Sequence, residues 1–150
     1  AGYAVTNLAV FSAVIAISHR IDSDLIEDFA GMGHRAPFLA AVLTLGVVSL
    51  IGIPPTVGFM AKIYIFGAAM SSGMQWLAII GVLNSVLSAY YYLRVVKTMY
   101  LQIPESKKGL APGLSIRVAA ASSFAGVIIF GIYPTPLIEL ARAAADSLLY

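Results

Sequence analysis

Apolar residues along this chain gather into long blocks rather than alternating with polar ones, and two charged loops and one short turn separate the blocks. The first block covers residues 1–18, "AGYAVTNLAVFSAVIAIS", and the second residues 38–70. The third and fourth cover 75–101 and 114–133. Stretches of about 20 apolar residues match the hydrocarbon core of a bilayer. The pattern predicts an all-α integral membrane protein with four transmembrane helices plus surface helices. As one straight helix the second block would measure about 50 Å at 1.5 Å per residue. The hydrocarbon core is only about 30 Å thick, so this helix must tilt strongly or be interrupted. Pro54 and Pro55 supply the interruption, because proline removes a backbone donor and clashes with the preceding turn.

The connecting segments are informative too. The loop "HRIDSDLIEDFAGMGHRAP" holds four of the seven acidic residues. Asp22 or Ser23 is placed to cap a short helix carrying Leu25, Ile26 and Phe29 on one side, as a helix lying on the membrane surface would. Ser71, Ser72 and Gly73 make a tight turn. Trp76 and Tyr100 stand at opposite ends of the third block, where interfacial aromatics belong. After Pro134 and Pro136 the tail "LIELARAAADSLLY" reads as an amphipathic surface helix.

Composition agrees with a membrane class. The chain of 150 residues is 60% hydrophobic and 11% charged, with a mean hydropathy of +0.91. A soluble domain carries about a quarter of its residues as charges. Cysteine is absent, which excludes disulfides, thiolate chemistry and cysteine ligation of iron–sulfur clusters. The two histidines, His19 and His34, share one polar loop, so bis-histidine haem within the membrane is excluded. A net charge of +2 is too small and dispersed for nucleic acid. The chain opens at Ala1 inside an apolar run, without the pattern of a signal peptide. It reads as a piece of a longer protein.

Basic residues near helix ends set orientation. Arg20 and Arg35 flank the first loop, and Arg94, Lys97, Lys107, Lys108 and Arg117 flank the loop after the third block. The 71–74 turn has none and the tail only Arg142. The two basic loops are expected to face the cytoplasm, with the turn and the C-terminus on the outer side.

Chemistry is concentrated in "IGIPPTVGFMAKIYIF". Gly52, Pro54, Pro55 and Gly58 break the helix and free carbonyls about one turn earlier, near Leu50 and Ile51. Non-helical backbone at membrane depth is tolerated where it is buried in protein or lines a wet cavity, and broken helices recur as ion-handling elements of transporters. The alternative is a kink that only shapes packing. Lys62 follows the break by two turns. An intramembrane lysine that faces the bundle interior is suited to exchanging a proton; one near the interface snorkels its ammonium to water. On the third block Asn84, Ser88 and Tyr91 or Tyr92 form one helical line, and Tyr90, Arg94 and Thr98 another. They either line a hydrated path with Arg94 at its cytoplasmic mouth or pack and anchor the helix. His19 and His34 are loop residues or proton relays, with His34 the better placed. Tyr3 and Asn7, one turn apart, are suited to bond a neighbouring helix.

"LIGIPPTVGFMAKIYIF" together with "GVLNSVLSAYYYLRVVKTMYL" resembles the antiporter-like N subunit of respiratory complex I, the NADH–quinone oxidoreductase. The "GIPP-x-x-GF-x-x-K" element is shared with sodium/proton antiporter subunits and other membrane arms, whereas "YYYLR" is typical of the N subunit and its photosynthetic relatives. The resemblance extends over essentially the whole chain. It implies a fold of about fourteen helices built from two inverted five-helix repeats, each with one broken helix; this chain would be the C-terminal part, the last four helices with no separate soluble domain, and residues 38–70 the second repeat's broken helix. Lys62 then corresponds to the protonatable lysine near the outward half-channel; Tyr91, Tyr92, Arg94 and His34, read from their own positions, complete the candidate proton path. It further implies a non-redox subunit of a proton-translocating translocase in a bacterial cell membrane. This chain would hold no cofactor: quinone, NADH, FMN and iron–sulfur clusters would belong to other subunits. Its partners would be other membrane-arm subunits, neighbouring antiporter-like ones included, and the lipid bilayer. The alternatives are a cation/proton antiporter subunit, a membrane hydrogenase arm, or helices that only brace the membrane arm. The sequence does not fix the quinone, the electron donor, proton against sodium, or whether the subunit pumps alone.

Overall fold

The structure is a computed structural model that describes residues 2–104, 109 and 113–146. Lys107 and Lys108, two of the cations used for orientation, lie outside the described residues, as do residues 147–150 of the tail. Helix α1 spans Gly2–Ile21, α2 Met32–Arg35, α3 Pro37–Ile51 and α4 Val57–Ser71. Helix α5 spans Gln75–Leu101, α6 Leu114–Ile132 and α7 Thr135–Asp146. A single turn of 3-10 helix, Ile26–Phe29, precedes α2. The described residues contain no strand.

Among the described residues three helices, α1, α5 and α6, are long and apolar enough to cross a membrane. Helices α3 and α4 have 15 residues each, so each is about 22 Å long and falls short of the core thickness by itself. The long second block is therefore interrupted as the prolines foretold, but the stop itself is made by a glycine. Gly52 adopts the left-handed conformation (φ 88°, ψ 47°). Its N–H bonds to Ser49 O at 3.0 Å, and the next N–H, of Ile53, reaches back to Val48 O at 3.1 Å. This is a Schellman closure; Pro54 and Pro55, joined by a cis bond, then prevent the chain from resuming the helix. The 71–74 turn repeats the device. Gly73 (φ 75°) bonds to Met70 O at 3.1 Å and Met74 to Ala69 O at 2.9 Å, so α5 starts at once and runs back against α4.

The core lies between α1, α3 and α6, closed at one end by α5 and the 19–36 loop. Ala9, Ala13, Ala16 and Ile17 of α1 are buried against Leu39, Leu43 and Val47 of α3, with Ala120 and Val127 of α6 and Met99 of α5. Small side chains at helical spacing let backbones approach, the usual basis of helix association in a bilayer. Most apolar residues of α5, such as Trp76, Leu83 and Leu87, face outward.

The first loop departs from the expected surface helix. Phe29 is buried in the core, whereas Leu25 and Ile26 are exposed, so the three do not share one side. Asp22 takes a positive φ of 54° and caps nothing. Ser23 does the local work, accepting from Leu25 N–H at 3.2 Å and donating to the Asp28 carboxylate. The described part of the tail forms the expected helix: α7 is amphipathic and is not among the long apolar helices.

Gly131 of α6 sits directly under the break, where an added Cβ would collide with the Pro55 carbonyl and the Thr56 backbone. Gly131→Ala should cost about 1–3 kcal/mol, as overpacking does, lowering the thermal transition in detergent. Gly67→Ala, in a helix with open space around it, should be neutral or stabilising by up to about 1 kcal/mol in the same measurement.

Candidate functional site

An interrupted helix leaves carbonyls at one end and N–H groups at the other. Here each side of the break finds a side chain. The Ile51 carbonyl, at the end of α3, accepts from Lys62 Nζ at 2.7 Å. Lys62 is also bonded to Ser85 Oγ of α5 at 2.9 Å, and Ser85 in turn donates to Gly81 O at 2.9 Å. Gly52 makes room for this lysine: a Cβ there would stand 2.8 Å from Lys62 Cδ. At the start of α4, Gly58 N–H donates to Ser49 Oγ at 3.1 Å. Ser49 is fully buried and pairs with Thr6 Oγ1 at 3.0 Å, and Thr6 donates to Gly2 O at 3.1 Å. The directions are consistent along that chain, with Gly58 N–H to Ser49, Ser49 to Thr6, and Thr6 to Gly2. An added Cβ at Gly58 would overlap the Ser49 backbone, so the close approach of α3 and α4 requires glycine there. Thr56, ahead of α4, turns its hydroxyl onto Ile53 O at 2.7 Å.

These groups line a cavity of about 330 Å³ shared by four helices: Tyr3 and Thr6 from α1, Ser49 from α3, Lys62 from α4, and Asn84, Ser85, Ser88 and Tyr92 from α5. Lys62 is half-buried and points inward to the break rather than outward along the helix. Among the described residues no cluster of His, Cys, Asp or Glu is arranged to hold a metal ion.

The cavity sorts the candidate residues. Of the line on α5, Asn84, Ser88 and Tyr92 share a face and reach it. Tyr91, one residue and 100° away, does not: it is 68% exposed and packs edge-to-face on Tyr90, with ring centroids 5.6 Å apart. Arg94 and His34 are exposed and absent from the cavity wall, and His19 is likewise exposed. Asn7 does not reach a neighbouring helix; its amide donates to Tyr3 O, one turn back, at 2.9 Å. Ser85, Ser49 and Thr6 were not singled out from the sequence. Serines and threonines that bond the carbonyl four residues back look locally satisfied, and the partners that matter here come from other helices.

Residues 1–88 match the family model described as NADH:quinone oxidoreductase/Mrp antiporter, TM. Over 98% of its length the chain is 42% identical to the NADH-quinone oxidoreductase subunit N of Desulfitobacterium hafniense, of which it covers 30%. Among solved structures it resembles a chain of respiratory complex I from Thermus thermophilus, with a TM-score of 0.76 and 26% identity. That likeness covers 89% of this chain and 31% of the other. It also resembles a chain of the membrane-bound sulfane sulfur reductase, an archaeal respiratory membrane complex, with a TM-score of 0.84 and 29% identity. There the coverage is 95% and 29%. The chain thus spans about 30% of the length of the curated relatives it matches.

Because Ser49 is buried and both donates and accepts, Ser49→Ala should cost about 1–3 kcal/mol by leaving Gly58 N–H unanswered. Thr6→Val should cost less, and the double variant should show a coupling of about 1 kcal/mol. Denaturation of the purified protein in detergent, read as a double-mutant cycle, measures this.

Proposed function

The chain belongs to the NADH:quinone oxidoreductase/Mrp antiporter family of membrane proteins, and on that premise we propose that it carries a proton-exchanging lysine of subunit N in a proton-translocating NADH–quinone oxidoreductase. The supporting observation is the placement of Lys62: its amine is held by a carbonyl freed at the helix break and by a hydroxyl from a second helix, beside a mainly apolar cavity into which Ser49, Asn84, Ser88 and Tyr92 also reach. An ammonium has three donors. Two are engaged, and the third is left for the next carrier along the cavity, where Ser88, Asn84 and Tyr92 stand. Moving one elementary charge across 100 mV takes about 2.3 kcal/mol. A site that holds its proton by two hydrogen bonds operates on that same scale.

In this reading α3 and α4 together make one interrupted crossing, so the chain crosses the membrane four times, within a longer fold of about fourteen helices. The basic ends of α1, α3, α5 and α6 face the cytoplasm and the C-terminus the outer side. Arg94, Tyr91 and His34 belong to that basic rim rather than to the lysine cavity. Electron transfer, with NADH, flavin, iron–sulfur clusters and quinone, takes place in other subunits of the complex; this chain's contribution is electrostatic and conformational, in contact with neighbouring membrane-arm subunits.

Replacing the lysine tests the reading. Lys62→Ala in the full-length subunit should abolish proton translocation in an assembled complex, measured in vesicles. Lys62→Arg keeps the charge but cannot lose its proton, and should be equally inactive. If Arg restores translocation, the lysine is only a fixed charge and the proposal fails. Exchanging sodium for choline should leave translocation unchanged; a strict sodium requirement would favour the cation/proton antiporter reading instead.

A further inference from the structure

We propose that Ser85 is the positioning residue for Lys62, a hydroxyl that keeps the lysine nitrogen in one place whether or not it carries its proton; this rests on Lys62 being the proton-exchanging group. The two partners of Lys62 Nζ differ in kind. The Ile51 carbonyl, at 2.7 Å, can only accept. The Ser85 hydroxyl, at 2.9 Å, can accept or donate.

A protonated lysine offers donors alone, and both partners serve it while Ser85 directs its own hydrogen to Gly81 O at 2.9 Å. When the lysine gives up its proton, the nitrogen gains a lone pair that a carbonyl cannot satisfy. Ser85 satisfies it by turning its O–H from Gly81 toward Nζ, and the Gly81 carbonyl keeps its place in the α5 backbone ladder. The side chain then need not swing out of the cavity between the two states.

The placement of Ser85 is built into the packing of α4 on α5. The two helices run antiparallel from the 71–74 turn, and Phe66 faces Gly81 just as Lys62, one turn earlier, faces Ser85, one turn later. A Cβ at Gly81 would come within 2.5 Å of Phe66 Cε1. Glycine there lets the helices close to the distance at which a side chain as short as serine reaches the lysine.

Threonine and valine separate the hydroxyl from the shape, since they differ in little else. Threonine also keeps the bond to a carbonyl four residues back in a helix. The experiment places Ser85→Ala, Ser85→Val, Ser85→Thr and Lys62→Ala in the full-length subunit of the intact membrane complex. Assembly is checked on native gels, and proton translocation is measured in vesicles. Ser85→Ala and Ser85→Val should lower translocation by about tenfold, the scale of one hydrogen bond to a charged group. Ser85→Thr should stay within about twofold of the parent. If Lys62→Ala is inactive while Ser85→Ala matches the parent, or while Thr and Val behave alike, the positioning role is overturned and the lysine's role stands. If Lys62→Ala translocates normally, the lysine's role fails and this proposal with it. Should Ser85→Val not assemble, the contrast of Ser85→Ala with Ser85→Thr decides in the same way.

Discussion

Backbone groups released inside an apolar medium must find partners within the protein, since each one left unanswered costs several kcal/mol. The geometry around the break between α3 and α4 follows from that constraint. Stopping a helix at Gly52 and restarting it at Val57 exposes carbonyls on one side and N–H groups on the other. The Schellman closure satisfies Val48 and Ser49 from within the chain. Two more are met by side chains of opposite character: the Ile51 carbonyl by the cationic Lys62, and the Gly58 N–H by the Ser49 hydroxyl. A cation and a neutral hydroxyl are therefore two answers to one problem.

The same constraint explains where glycine is required. Gly52 must be left-handed to close α3, and its missing side chain leaves space for the lysine stem. Gly58 brings α4 within reach of Ser49, and Gly131 lets α6 lie against the loop between the half-helices. Each glycine serves proximity to polar main chain. Thr56 and Val57, where the chain re-enters a helix, are buried against the bundle, whereas Ile53, Pro54 and Pro55 lie on the outer surface of this chain.

The elements that repeat or interrupt a pattern were legible in the sequence. Apolar blocks gave the long helices, the proline pair marked the interruption, glycine with two serines marked the turn, and a lone lysine in an apolar block marked the side chain that bonds to the break. Carbonyls freed near Leu50 and Ile51 were inferred, and Ile51 is the one the lysine takes. Contacts that depend on register between helices were not legible. Ser49 and Thr6 are 43 positions apart, and Lys62 and Ser85 are 23 apart. Nothing local distinguishes these serines from ones that only bond their own helix, as Ser88 does with Asn84 O. The choice between Tyr91 and Tyr92 likewise turned on helix rotation, which a run of three tyrosines conceals. An α-helical period would place Phe29 on a surface stripe with Leu25 and Ile26, and a single 3-10 turn sends it into the core instead.

A lysine that holds a structural carbonyl and also exchanges a proton faces opposing demands. Each hydrogen bond to a charged group contributes about 1.5–3 kcal/mol, so a fully surrounded ammonium would hold its proton too firmly for a membrane potential to shift it. A bare one would be too costly to form in a low-dielectric interior. Two acceptors and an adjoining cavity lie between those limits. The arrangement also ties the charge state of the lysine to the shape of the break. When the proton leaves, the Ile51 carbonyl loses a charge-assisted partner and keeps at most a neutral, roughly half as strong bond. The end of α3 is then held less firmly against α4. On the proposed role of Lys62, coupling between charge and conformation would need no separate device, because the group that would bind the proton is the group that bonds the carbonyl at the interruption.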